Sequence, residues 1–250
     1  MEGNYQKQLF SSLHRDVQAG LDPSDSRDSV MVRCMHFCHH LLEPRDRLFD
    51  NIELSGFKPS LFHPVTVDLM TANGACGSYS IVLANLLKTF GFNVRIAQMK
   101  AGGVFGRHII VEANDGRGWV VLDPYYDLYF RGPAGNNLAS FRDVQANWAF
   151  YSAHTPSGYD PSYRYEDVRY TNWQKIPVLM PAFRQLLIFS RGRAFADTFC
   201  LRAWVLNVNE CIFYILFTIS LLILLAWVFR LIKRRSKAPD PVQHPNLMVN

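Results

Sequence analysis

The stretch NGACGSYSIVLANLLKTFGF, from Asn73 to Phe92, places a cysteine directly in front of an apolar segment. After Cys76, apolar residues recur at the intervals of an α-helix, and Gly91 supplies a stop signal. The members of this repeat are Ile81, Leu83, Ala84, Leu86, Leu87 and Phe90. The pattern predicts a helix that begins near Cys76 and turns one apolar face to the core.

A cysteine in the first turn of a helix is well placed to act as a nucleophile. The positive end of the helix dipole and the unpaired backbone N–H groups there favour thiolate over thiol. The same N–H groups can face the oxyanion that forms when a thiolate attacks a carbonyl carbon. Gly74 and Gly77 flank this position with minimal side chains, so a substrate can approach closely. Cys76 is therefore a candidate nucleophile.

Three short strands are predicted after the helix, and they bring a base and a carboxylate together. Their sequences are NVRIAQM, RHIIVEA and GWVVLDP, and the Asp-Gly in NDGRG between the last two is a hairpin signal. Pairing through that turn puts His108 and Asp123 at the same sheet edge. Each residue alone is more often structural. Together with Cys76 they match a nucleophile, a base and an orienting carboxylate.

The stretch GACGSYSIVLANLLKTFGFNVRIAQM, followed by GRHIIVEANDGRGWVVLDPYYD, resembles the core of the transglutaminase-like superfamily. The shared pattern is Cys-Gly at a helix start, Gly-x-His before an apolar strand with Glu, then Trp and a terminal Asp-Pro. The resemblance implies a papain-like α+β fold, in which the nucleophile helix packs on a small antiparallel sheet. It also implies acyl transfer through a thioester, with Cys76 as nucleophile, His108 as general base and then acid, and Asp123 fixing the imidazole.

The oxyanion donor departs from the family pattern. Some transglutaminases use a tryptophan upstream of the nucleophile, but the first tryptophan here is Trp119. The backbone N–H of Cys76 can provide one donor. A second donor stays open between Asn73, whose alternative role is that of a turn residue, and another upstream polar group such as His63. We predict no cofactor and no metal, because Asp and Glu are scattered and form no calcium loop.

Composition indicates a folded chain and gives little support to nucleic-acid binding. The chain has 250 residues, is 49% apolar and carries a net charge of +5, which suffices for a full core. No basic stripe is interleaved with aromatic residues. The five cysteines are irregularly spaced, so reduced thiols are favoured over a disulfide framework. CMHFCHH, from Cys34 to His40, holds zinc-type ligands, but no second pair follows at finger-like spacing and a packed helix is preferred.

The two ends of the chain predict a C-terminal membrane anchor. MEGNYQKQLFSSLHRD at the N-terminus is polar and has no apolar segment of signal-peptide length, so we predict no cleaved secretory signal. CIFYILFTISLLILLAWVF, from Cys211 to Phe229, is uncharged and is followed by the basic RLIKRRSK, so we predict one transmembrane helix within residues 206–232. A flexible, basic and Pro-rich tail is predicted at 233–250. The basic flank favours a cytoplasmic tail and an external enzyme, but a folded domain without a signal peptide favours a cytoplasmic enzyme, which we adopt.

The remaining residues are assigned to the catalytic domain. Residues 1–70 are predicted to be its mainly helical N-terminal part, with turns at Pro44, Pro59 and Pro64. Residues 71–200 are predicted to hold the transglutaminase-like core and an aromatic-rich extension. The extension contains WAFYSAHTPSGYDPSYRYEDVRYTNW, whose rings are expected to cover a core in preference to lining a substrate groove.

The sequence thus predicts a membrane-anchored, transglutaminase-like cysteine enzyme that acts on peptide or amide carbonyls, with hydrolysis favoured. The alternatives are a protein cross-linking acyltransferase and a catalytically inactive, membrane-tethered binding module. The predicted partners are a peptide or protein substrate and, through the C-terminal helix, a membrane. The substrate, the acyl acceptor and the oligomeric state stay open.

Overall fold

The structure is a computed structural model, and it describes residues 2–49, 64–133, 135, 137–204, 206 and 208–235. The chain divides into a compact unit, Met1–Val208, and a second unit, Asn209–Asn250. The candidate catalytic residues all lie in the first unit.

Helices form the N-terminal part of the first unit. They are α1 (Glu2–Ala19), α2 (Arg27–Phe49), α3 (Val65–Thr71) and α4 (Cys76–Thr89). Helix α4 is the helix that the apolar repeat predicts, and its residues Val82, Leu83 and Leu87 are completely buried. Helix α2 continues through Pro44, where we predicted a turn. Proline removes one backbone hydrogen bond, and the buried face of α2 that precedes it supplies packing that offsets this loss.

The strands that the structure describes form one antiparallel sheet in the order β4-β3-β2-β1-β5. They are β1 (Asn93–Ala101), β2 (Val104–Asn114), β3 (Trp119–Asp123), β4 (Leu128–Tyr129) and β5 (Val168–Arg169). Strands β1, β2 and β3 correspond to the three predicted strands. Asn114 lies opposite Trp119 and Val111 lies opposite Leu122, so β2 and β3 form the predicted hairpin around the Asp-Gly turn.

Alternation along the strands divides the core between the two faces of the sheet. Ile96, Val111 and Leu122 belong to the cluster that contains the buried face of α4 and residues of α1 and α2. Ala97 and Ile110, one residue along on their strands, belong to a second cluster with aromatic residues that follow the sheet. Helix α4 therefore packs on one face of the sheet, and its first residue is fixed by a core that includes the N-terminal helices.

Short helices follow the hairpin, and the sequence patterns did not predict them. They are α5 (Phe141–Ala146), α6 (Trp148–Tyr151), a 3-10 turn (Ser152–His154), α7 (Leu179–Arg191), α8 (Arg193–Thr198) and α9 (Leu201–Trp204). Only α5 carries a clear local signal, since Ser140 and Asp143 form a capping box at its start. The aromatic-rich extension thus has more helical structure than its sequence indicated.

The prediction of a transmembrane helix is wrong. In the part of the chain that the structure describes, no helix combines the length and the apolar character needed to cross a membrane. Helix α10 spans Val208–Arg235. The first unit is α+β with an antiparallel sheet, but the fold class that included a membrane span is corrected. Most of the predicted tail, 236–250, lies outside the described residues.

Candidate active site

Cys76 is the first residue of α4, and its side chain is half-buried. Ala75 before it has φ 44° and ψ −127°, a conformation that costs a non-glycine residue about 1–3 kcal/mol. This bend leads the chain into the helix. In the described part of the chain no side chain caps this helix end, so the N–H of Cys76 stays available to an incoming oxygen.

Two buried polar residues that the sequence analysis missed hold the loop before Cys76. The N–H of Gly74 donates to Ser78 Oγ at 2.8 Å, and the Ser78 hydroxyl donates to Asp68 Oδ1 at 2.6 Å. A Cβ atom on residue 74 would lie 2.6 Å from Ser78 Oγ, so glycine is required for this packing. In the sequence, only Gly74 indicated that this loop is tightly packed. No local pattern links Ser78 in α4 to Asp68 in α3.

His108 and Asp123 are in direct contact. His108 Nε2 lies 2.6 Å from Asp123 Oδ2, and the two residues are 1% and 0% exposed. The register of β2 and β3 explains the contact, since one further pair beyond Val111 and Leu122 puts Asp123 opposite Ile110. His108 is then its diagonal neighbour on the same face, within reach of a side chain. The second carboxylate oxygen of Asp123 accepts the N–H of Tyr126 at 3.4 Å.

The third candidate, Cys76, lies near the His108 ring, close enough that it raises the pKa of the imidazole. Nε2 of His108 is engaged by Asp123, which leaves Nδ1 as the second ring nitrogen. Burial by itself lowers the pKa of His108, but the charge and hydrogen bond of Asp123, with the contact to Cys76, outweigh burial and raise the pKa from 6.5 to about 10. At neutral pH the imidazole therefore holds a proton between a carboxylate and a sulfur atom.

Tyrosine side chains surround the imidazole. The ring of Tyr163 stacks on His108 with centroids 4.5 Å apart and an angle of 9°. Tyr126 packs against the ring at 5.5 Å and Tyr125 at 6.3 Å. Burial raises the pKa of Tyr163 to about 12, and its hydroxyl donates to the carbonyl of Arg107 at 3.4 Å. The aromatic extension, expected to cover a core, thus places at least Tyr163 directly against a candidate catalytic residue.

The candidate oxyanion donor Asn73 is exposed. Its Nδ2 donates to the backbone carbonyl of Phe49 at 3.4 Å, so in this structure its amide contacts the end of α2. The alternative donor His63 lies outside the described residues. The donor that the described geometry presents at the sulfur is the N–H of Cys76.

The cysteines of α2 do not form a surface metal site. Cys34 and Cys38 are completely buried in the core, and burial raises the pKa of the Cys34 thiol to about 12. Potential ligand atoms of His39, His40 and Glu43 lie within 4.8 Å of one another. Two of these groups already have protein partners, since His39 Nδ1 contacts the carbonyl of Pro124 at 3.0 Å and Glu43 pairs with Arg47.

A cavity of about 510 Å³ lies apart from these catalytic candidates. Arg95 and Glu112, on adjacent strands, form an ion pair in its wall at 3.0 Å. The guanidinium of Arg95 lies 3.7 Å from the centre of the Trp119 ring. Burial raises the pKa of Glu112 despite the opposing effect of Arg95. Glu112 and Trp119 are the Glu and Trp of the sequence pattern. Glu112 forms a buried ion pair with Arg95, and the Trp119 ring covers the guanidinium of Arg95.

The comparisons with known proteins leave the family open. No protein-family model, no curated protein and no solved structure matches this chain. The resemblance to the transglutaminase-like superfamily stays a prediction that rests on the residues around Cys76, His108 and Asp123.

Proposed function

We propose that this protein is a transglutaminase-like cysteine enzyme that cleaves peptide or other amide bonds through a thioester. The observation that supports the proposal is the buried pair of His108 and Asp123 at 2.6 Å, with Cys76 at the start of α4 near enough to raise the pKa of the imidazole. A nucleophile, a proton carrier and an orienting carboxylate in hydrogen-bond contact are the requirements for acyl transfer.

The first half-reaction uses the proton that His108 carries. The sulfur of Cys76, as the thiolate paired with the protonated imidazole, attacks the carbonyl carbon of the substrate. The N–H of Cys76 is placed to stabilise the oxyanion. As the tetrahedral intermediate collapses, the C–N bond breaks and His108 gives its proton to the leaving amine, which leaves a thioester on Cys76 and a neutral imidazole.

The second half-reaction consumes water. The neutral His108 accepts a proton from a water molecule whose oxygen attacks the thioester carbonyl. When the C–S bond breaks, a carboxylic acid is released and the sulfur leaves as the thiolate beside the protonated imidazole. Asp123 keeps Nε2 protonated throughout, so that Nδ1 faces the sulfur and the substrate.

The test is the detection of the acyl-enzyme. The full chain is incubated with a library of peptide amides, and intact mass and peptide mapping are recorded after rapid quenching. We expect an acyl adduct on Cys76, release of the amine, and loss of both in Cys76→Ala. Turnover retained by Cys76→Ala would overturn the proposal.

The same experiment separates the alternatives. With a primary amine present, formation of a new amide faster than the free acid identifies a cross-linking acyltransferase. If no adduct forms and alkylation of Cys76 proceeds at the rate of an ordinary thiol, the protein is a binding module that retains the fold.

A further inference from the structure

Helix α7 carries an apolar stripe on its outer face. Leu179, Leu186 and Phe189 are 62%, 59% and 91% exposed, and their spacing puts them on one side of the helix. Ala182, also exposed, lies between them. Val178, directly before the helix, is exposed as well.

The inner face of α7 anchors it to the first unit. Met180 is buried, and Phe183 packs against Trp173 at 6.1 Å and Phe199 at 5.9 Å. The exposed stripe is therefore held outward on a fixed helix. Single exposed apolar residues are ordinary on protein surfaces, but a continuous apolar stripe marks an interaction surface.

The charges around α7 indicate which kind of partner the stripe suits. From Gln174 to Trp204 the chain has five basic residues and a single acidic residue, Asp197. Asp197 pairs with Arg184 at 2.6 Å. Lys175 before the helix, Arg191 at its last position and Arg193 after it are exposed. The outer surface of α7 therefore presents an apolar centre with positive charge at both ends.

We propose that α7 is an interfacial helix that binds the surface of a bilayer containing anionic lipids. Leu179, Leu186 and Phe189 enter the boundary between headgroups and acyl chains, while Lys175, Arg191 and Arg193 contact lipid phosphates. A protein groove would bury the stripe but would need acidic groups at both ends of the helix, whereas an anionic membrane supplies negative charge across its whole surface. The proposal is independent of the catalytic function and of the C-terminal helix.

Hydrogen exchange on the unmodified full chain tests the location of the contact. The chain is mixed with vesicles of phosphatidylcholine alone or of phosphatidylcholine with phosphatidylserine, and exchange is followed by mass spectrometry. We expect exchange in the α7 peptides to slow at least fivefold with phosphatidylserine vesicles and to change little with phosphatidylcholine vesicles. Vesicle binding that leaves α7 exchange unchanged would overturn the proposal.

Surface variants test the two components of the contact by vesicle sedimentation. The double variant Leu186→Asp with Phe189→Asp is expected to bind phosphatidylserine vesicles at least tenfold more weakly, whereas Tyr5→Asp, at a 58% exposed position on α1, keeps its affinity. Arg191→Glu with Arg193→Glu is expected to lose about 30-fold, whereas Arg15→Glu does not.

Two results would contradict the lipid contact. One is equal vesicle binding by the double aspartate variant and the unmodified chain. The other is protection of α7 that grows with protein concentration in the absence of lipid, which would assign the stripe to a second copy of the chain.

Discussion

Replacement of Asp123 by asparagine tests whether its charge holds the proton on His108. The two residues are in contact at 2.6 Å and are buried. Asparagine keeps the shape of the side chain but removes the charge. Burial is then opposed only by Cys76, so the pKa of His108 should fall from about 10. The imidazole of the variant should therefore be protonated to a smaller extent at neutral pH.

The expected magnitude follows from the supply of thiolate. A protonated imidazole beside a sulfur atom favours attack by that sulfur, and the variant removes much of this positive charge. A thiol without such help is only a few per cent ionised at neutral pH, so the variant should be alkylated about 30-fold more slowly. The difference should disappear as pH rises through about 10, where His108 of the unmodified protein loses its proton.

The assay is the rate of iodoacetamide labelling at Cys76, followed by peptide mapping from neutral to alkaline pH. Asp127→Asn is a matched control, because Asp127 contacts His36 at the same distance of 2.6 Å outside the candidate site. It should label like the unmodified chain. Equal rates and equal pH profiles for Asp123→Asn and the unmodified chain would refute the reasoning, as would an equal loss in Asp127→Asn.

Three further expectations concern the surroundings of the site. Tyr163→Ala should slow labelling of Cys76 about tenfold because the face of the ring no longer stabilises the cation, whereas Tyr163→Phe should label normally. Gly74→Ala and Ser78→Ala should each lower the free energy of unfolding by about 1–3 kcal/mol, as measured by denaturant titration. The double variant should lose clearly less than the sum of the two, because removal of the Ser78 hydroxyl relieves its overlap with the new Cβ atom of residue 74. Because its pKa is raised from 6.5 to about 10, His108 should contribute stability that is complete below pH 6.5 and is lost as pH rises through about 10; the same titrations should show this loss in the unmodified chain and not in His108→Gln.

Local patterns were sufficient to predict the elements that carry the candidate site. The apolar repeat after Cys76 and the Asp-Gly turn are short-range signals, and α4 and the β2–β3 hairpin are built from them. Contacts between distant segments could not be predicted in this way. The stacking of Tyr163 on His108 joins residues far apart in sequence, and a tyrosine has the same local pattern whether it covers a core or a catalytic group.

The prediction of a transmembrane helix was wrong because it depended on the hydropathy of the sequence alone. An uncharged run predicts a span from composition alone, whereas the described helices do not provide one. The apolar stripe of α7 could not be predicted from the sequence for a related reason. Its residues are mixed with others that pack inward, and only the structure separates the exposed Phe189 from the packed Phe183.

The burial of Cys34, Cys38 and Cys200 also determines how the described part of the chain reacts with an oxidant. Burial raises the pKa values of Cys34, Cys38 and Cys200, so these thiols resist peroxide, which reacts with thiolates. Cys76 should be oxidised first, gaining one oxygen atom as a sulfenic acid that intact-mass measurement detects. Among the described cysteines no other thiol is exposed enough to resolve that acid as an internal disulfide. Reduction of the sulfenic acid at Cys76 would therefore depend on a small thiol from solution. The core thiols stay reduced, so the fold should persist while the reactivity of Cys76 is lost and regained.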